Sequence, residues 1–221
     1  MKNLLALTLL FVCFLGFSQN GAITIRHIAN AGLYMTDGDL NVCFDFPYKP
    51  GAFGYTIYDE SELDSIKENS LFLFTHKHGD HYSRKLLRQH EGEVYGPWKF
   101  SKKGGNGGEI INYPEHSFSV KAYKNKHRFS LSHCSYLITW HGKTIFVSGD
   151  AESPETIAKM QNMDWAFVPE WLLYYAKLGD VNIDANWIGI YHLYPNDTVE
   201  DDYGNNVVNL RDHQEKITLK F

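Results

Sequence analysis

Cysteine is scarce, with three residues in a chain of 221. Cys13 falls in the N-terminal apolar run, which leaves Cys43 and Cys134 for the rest of the chain. Small exported domains without a sufficient core rely on dense disulfides, and two cysteines make no such scaffold. Each lies in an apolar, strand-like stretch, so two buried free thiols are expected. Export would still permit one disulfide between them. Positive charge is also short: 21 Lys and Arg stand against 26 Asp and Glu, a net charge of -5. That balance excludes the basic footprint of a nucleic-acid binder. No apolar run reaches the roughly 20 residues that a membrane helix needs. No internal repeat and no linker-like stretch divides the chain.

What is present is an ordinary globular composition, 43% hydrophobic and 21% charged, in a length that suits one domain with a substantial core. The first residues read as a secretory signal. Lys2 supplies positive charge, Leu4 to Phe17 are apolar, and small or polar residues follow at Gly16, Ser18, Gln19 and Asn20. Leu10-Phe11-Val12 before Cys13 lacks the small residues of a lipoprotein processing site. We therefore expect residues 1–19 to be a cleaved signal and 20–221 to be one secreted or periplasmic domain without a stable membrane anchor. The protein would act on a small-molecule substrate, not nucleic acid, and the oligomeric state is left open.

Short strands dominate the coarse reading. Ala22 to Ile28, continued by Gly32 to Met35, forms a first strand. The turn Asp37-Gly38-Asp39 leads to a second at Leu40 to Phe46, which makes an opening hairpin. Pro47 to Tyr58 reads as a loop, Asp59 to Asn69 as a helix capped by Ser61, and Ser83 to His90 as another helix. Ser70 to Phe74 is the continuous apolar run of a buried strand. Val94 to Gly96 is a brief strand, and Ser101 to Gly108 an exposed loop. Further strands follow at Ser117–Tyr123, Cys134–Trp140, Thr144–Ser148, Trp165–Pro169, Ile188–Tyr191 and Ile217–Phe221, with a helix at Pro154–Met160. Mixed strands and helices indicate an α/β sandwich with helices covering the sheets.

The densest chemistry is Thr75-His76-Lys77-His78-Gly79-Asp80-His81, directly after a buried strand. Imidazole and carboxylate are good ligands for zinc and similar ions. His76 and His78, two apart, face the same way in extended backbone. Gly79 allows a sharp turn, after which Asp80 and His81 can serve a second position. A solvated loop does not account for three His and one Asp in six positions.

This segment resembles the His-x-His-x-Asp-His signature of the metallo-β-lactamase superfamily. Ile23 to Asp45 resembles that family's opening hairpin, Phe146-Val147-Ser148-Gly149-Asp150 its later strand ending in Gly-Asp, and Ile190 to Pro195 its late strand-end histidine. The likeness spans nearly all of 20–221 and is nearest to the compact branch with the ascorbate-6-phosphate lactonase. It implies a four-layer αββα sandwich and two divalent metals, with zinc expected and manganese or iron compatible with the same ligands. It implies that His76, His78 and a later histidine hold one metal, that Asp80, His81 and His192 hold the other, and that Asp150 bridges them. The later histidine is His127 or His133. His127 follows the strand at Ser117–Tyr123 as in the family, whereas His133 lies where the next strand begins, so His127 is favoured.

The implied reaction is hydrolysis by a metal-activated hydroxide, with Asp80 also orienting the water and no protein nucleophile. An ester, lactone or amide is the expected substrate. Phosphodiester hydrolysis is the alternative, with Lys102, Lys103, Lys121, Lys124, Lys126 and Arg128 as candidate phosphate contacts; a non-catalytic metal-binding module is a third reading. Asp45 is placed to hold a ligand histidine, with Phe46 intervening where the family has Asp-Pro. Tyr48, Phe53, Tyr55, Trp171, Tyr174 and Tyr175 are candidate walls of a substrate pocket, on loops. His27 is a possible neighbour of the site, while His90, His116, His141 and His213 read as structural or solvated.

Overall fold

A computed structural model describes residues 21–100, 108–199, 202–211 and 215–221. The expected signal at 1–19, most of the loop at Ser101–Gly108 and His213 lie outside the described residues. β1 (Ala22–Ile28), β2 (Gly32–Thr36) and β3 (Asn41–Phe44) form an antiparallel meander. β4 (Ser70–Leu73) and β5 (Gly92–Tyr95) join it in parallel, and β13 (Lys216–Lys220) pairs with the far edge of β1. A second sheet contains β6 (Gly108–Tyr113), β7 (Phe118–Asn125), β8 (His133–Trp140), β9 (Lys143–Val147), β10 (Met163–Pro169), β11 (Ala185–Tyr191) and β12 (Val207–Asn209). Its order is β12-β11-β10-β9-β8-β7-β6. It is antiparallel from β6 to β9 and parallel from β9 to β12.

Alternation along the strands builds three apolar layers. Cys134, Tyr136, Ile138 and Trp140 of β8, with Ile145 and Val147 of β9, meet Ile23, Ile25, Leu33, Met35, Val42 and Phe44 of the first sheet. The alternate residues of the second sheet, Phe146, Val168 and Ile190 among them, pack under α4 (Glu170–Leu178) through Leu172, Leu173 and Ala176. Outside the first sheet, Phe46, Tyr48 and Tyr58 make a cluster of edge-to-face rings with Phe72, Phe74 and Leu87. It is covered by α1 (Ser61–Asp64), α2 (Arg84–Leu87) and α3 (Pro97–Phe100). The order helix, sheet, sheet, helix is the expected αββα sandwich, with thin outer layers.

Several expectations need correction. Ala22 to Met35 is two strands, because the chain reverses at Ala29 and Asn30, both at positive φ (40° and 36°). The helix expected over Asp59–Asn69 is the single turn α1. Ser61 is its first residue and not its cap; the Asp59 carboxylate accepts from the Ser61 N–H at 2.8 Å. The helix at Pro154–Met160 shrinks to a 3₁₀ turn at Ile157–Lys159. Trp171, Tyr174 and Tyr175 lie on α4 and not on a loop, and Tyr48 is fully buried in the outer cluster, so it walls no pocket. β6 and β12 are strands beyond those expected. Cys43 and Cys134 are buried free thiols, as expected.

Candidate metal centre

β3, β4, β7, β9 and β11 all end at one edge of the sandwich, and their following residues converge there. Ligands commonly gather outside the carboxyl ends of strands in open α/β sheets. Asp45 follows β3, the His76–His81 segment follows β4, His127 follows β7, Asp150 follows β9 and His192 follows β11. Backbone hydrogen bonds tie the two sheets at this edge. Cys134 N–H donates to the Thr75 carbonyl at 3.0 Å, and His192 N–H to the Asn30 carbonyl at 2.9 Å. Asn30 in turn donates through its side chain to the Asp80 carbonyl at 3.2 Å. Asp45 and His192 sit at positive φ, 44° and 61°, backbone strain of the kind that clusters at functional sites.

The seven residues expected as ligands come together in two groups. Donor atoms of His76, His78, His127 and Asp150 lie within 4.8 Å of one another, and so do those of Asp80, His81, Asp150 and His192. Asp150 belongs to both and offers a different oxygen to each. Its Oδ2 lies 3.7 Å from His76 Nε2 and 3.6 Å from His127 Nε2. Its Oδ1 lies 3.1 Å from His81 Nε2 and 3.3 Å from His192 Nε2. Asp80 Oδ2 completes the second group, 3.3 Å from His192 and 3.5 Å from His81. Bonds of about 2.1 Å in a tetrahedron put neighbouring donors about 3.4 Å apart. The observed separations therefore suit donors arranged around a common point.

The hydrogen-bond inventory points the same way. His76 Nε2, Asp80 Oδ1 and Asp150 Oδ1 are buried and have no hydrogen-bond partner, whereas buried polar atoms are nearly always partnered. His76 Nε2 and Asp150 Oδ1 stand among the donors of the two groups, so the donor set fits a pair of cations. The outward-facing nitrogens of His76 and His81 are held. His81 Nδ1 is 3.0 Å from Asp45 Oδ2, and His76 Nδ1 is 3.0 Å from Thr75 Oγ1. Asp45 also accepts from the Thr75 N–H and hydroxyl, each at 2.7 Å. Thr75 and Asn30 went unnoticed in the sequence, because neither residue type signals a metal.

Electrostatics separates the two groups. Burial lowers the pKa of His76 and His127, which keeps both neutral. Burial would also depress His81 and His192, but the Asp150 charge outweighs it with help from Asp45 and Asp80. His81 is pushed well up and His192 to about 9. The same attraction overcomes burial to hold Asp150 well below, and Asp80 below, the ordinary carboxylate value. Two buried carboxylates demand positive charge here.

His133 stands beside these groups but in neither. Its Nε2 accepts the Asp150 N–H at 3.0 Å, and burial lowers its pKa to about 3. It fixes the backbone of Asp150 as a neutral acceptor. His27 is buried against the Asn30 carbonyl at 3.0 Å. His90, His116 and His141 belong to neither group.

No protein-family model and no curated protein matches the sequence. Solved structures do. One is a metallo hydrolase from the hyperthermophilic archaeon Ignicoccus hospitalis, at 14% identity and TM-score 0.68, covering 90% of this chain and 99% of that one. A second is the metallo-β-lactamase fold protein YhfI from Bacillus subtilis, at 13% identity and TM-score 0.65, covering 90% and 100%. A third is CmlA, a diiron β-hydroxylase from Streptomyces venezuelae, at 14% identity and TM-score 0.57, covering 90% of this chain and 54% of that one. The chain has the metallo-β-lactamase fold. At these identities the likeness establishes the fold, and the reaction must be argued from the site.

Proposed function

We propose that the protein is an exported binuclear metal-dependent hydrolase that cleaves an ester, lactone or amide bond. The observation that carries this reading is Asp150, whose two carboxylate oxygens each face a separate set of imidazoles. His76, His78 and His127 would hold one divalent ion, and Asp80, His81 and His192 the other. Zinc is the expected metal, with manganese or iron suited to the same donors. When bound, such ions lower the pKa of water and polarise a carbonyl oxygen. The chain's own part is to place and neutralise. Asp45 and Thr75 fix the ring orientation of His81 and His76, and His133 fixes the backbone of Asp150. Asp80 can orient the attacking water through its second oxygen, Oδ1, which has no other partner. Water then supplies hydroxyl to the acyl carbon and a proton to the departing oxygen or nitrogen.

Phosphodiester hydrolysis has weaker support. Arg128 lines a cleft with His127 and Glu152, and the Glu152 carboxylate accepts the Arg128 backbone N–H at 2.6 Å. Lys124 and Lys126 line a groove with Ser153 and Lys159. Lys102 and Lys103 lie outside the described residues. The test is elemental analysis of the mature protein after metal loading, followed by a screen of ester, lactone, amide and phosphodiester substrates. We expect about two divalent ions per chain and turnover of a carbonyl substrate. A metal content near zero overturns the whole reading. Export rests on the N-terminal segment, and sequencing the exported protein should find a start shortly after Ser18. Intact Met1 in a membrane fraction would refute cleavage.

A further inference from the structure

Beside the metal centre lies a cleft of about 300 Å³ that the hydrolytic machinery does not use. His192 lines it and also belongs to the second ligand group, so the two spaces share a wall. Its other walls are rings. Tyr55 meets His192 edge-on at 4.4 Å and stacks on Tyr194 at 4.2 Å with the planes only 10° apart. Trp171 meets His192 edge-on at 5.2 Å, and its indole N–H is held by the Ala151 carbonyl at 3.1 Å. Tyr174 and Tyr175 continue the wall along α4, each about half exposed. Glu170 and Asp197 supply carboxylates to the lining, and among the described residues no Lys or Arg lines it. Lys177 is beyond the lining, 5.5 Å over the Tyr203 ring.

These features select a ligand by its chemistry. Aromatic faces take flat rings by stacking and attract cations to their negative π-clouds. The carboxylates of Glu170 and Asp197 on the lining add to that attraction. The volume lies at the small end of ligand pockets and suits one ring with a short substituent. We propose that this cleft is a binding site for a neutral or cationic aromatic ring attached to the bond hydrolysed at the metal centre. The attached bond rests on the hydrolase reading, whereas recognition of the ring does not.

The experiment uses the mature protein stripped of metal by a chelator, so that no probe can ligate an ion. Benzyltrimethylammonium, benzyl alcohol, benzenesulfonate and ring-free tetramethylammonium are titrated by ligand-observed NMR and tryptophan fluorescence. We expect the first two to bind saturably and the last two roughly tenfold more weakly. Trp171→Ala and Tyr175→Ala should each weaken benzyltrimethylammonium by about tenfold. Tyr175 is about half exposed, so its variant should fold even if the Trp171 variant does not. Equal binding of cation and sulfonate, or unchanged affinity in a folded Tyr175→Ala, overturns the proposal. In the metal-loaded enzyme, both variants should raise KM for phenyl acetate more than they lower kcat. Ring binding that persists while no substrate turns over supports the cleft and refutes the hydrolase reading.

Discussion

A ligand histidine is aimed by whatever holds its second nitrogen, and here one carboxylate aims a histidine in each group. Asp45 holds His81 directly and reaches His76 through the Thr75 hydroxyl. Asp45→Asn should therefore lower affinity for both metals, by about 10- to 100-fold. Thr75→Val should weaken mainly the group containing His76. Competition with a chromophoric chelator reads both, and unchanged affinity in Asp45→Asn would show that the carboxylate does not orient the site. The competing histidines separate in the same way. His127→Ala should lose one metal and nearly all hydrolysis, since it removes a donor. His133→Ala removes the acceptor for the Asp150 N–H and should cost at most about 100-fold, with both metals retained. Metal content measured in folded variants decides between them, and the opposite pattern would reverse the two assignments. Of the seven proposed ligands, His76, His78, Asp80 and His81 are legible in residue type and close spacing, whereas His127, Asp150 and His192 are far apart in the chain and are reached only through the resemblance to the metallo-β-lactamase superfamily. The roles of Thr75, Asn30 and His133 are legible in neither way, since they depend on which backbone groups meet across the two sheets.

Strand ends carry this site, so the turns after them set its precision. Gly149 follows β9 at φ +58°, and a β-carbon there would lie 2.6 Å from both His133 Nε2 and Thr75 Cβ. Gly149→Ala should destabilise the fold by roughly 1–3 kcal/mol and displace Asp150 from both groups. Thermal unfolding and metal content should fall together in this variant. A stable variant that still binds two metals would show that the turn can relax without moving its aspartate. The sequence made this turn visible through the Ser-Gly-Asp run after an apolar strand. Other elements were harder to see. The reversal between β1 and β2 uses Ala29-Asn30-Ala31, which holds no glycine or proline to mark it. Helix α4 follows Pro169 with no side-chain cap, and its exposed tyrosines hid the Leu172, Leu173 and Ala176 stripe. Strand β12 has three residues, too few for a period to show.

At the scale of the whole molecule, the sandwich buries charge where two sheets meet, and folding is thereby linked to protons and metal. Consider the metal-free protein first. His192 has its pKa raised from 6.5 to about 9, so its stabilising effect is complete below 6.5 and is lost as pH rises through about 9. Asp150 is lowered from 3.8, so its effect is present above 3.8 and is lost on acidification below that value. His76, His127 and His133 are instead lowered from 6.5 by burial, so their effect is present above 6.5 and is lost on acidification below it. The metal-free fold should thus be most stable near 6.5 and soften toward both acid and alkaline pH. Metal binding has the opposite slope, because an imidazole must give up its proton to bind an ion. The loaded protein should gain on the metal-free form as pH rises from about 6.5 to 9. At pH 7 the His81–His192 pair retains at least one proton, which metal uptake must release. Calorimetric titration with zinc in buffers of different ionisation enthalpy measures that release directly. The apparent enthalpy should shift with the buffer near pH 7 and much less above pH 9. His192→Ala should remove part of the shift, whereas His133→Ala should leave it intact, because burial already keeps His133 neutral. An enthalpy independent of buffer would mean that the second group holds no exchangeable proton at pH 7, and the electrostatic account of the site would then fail.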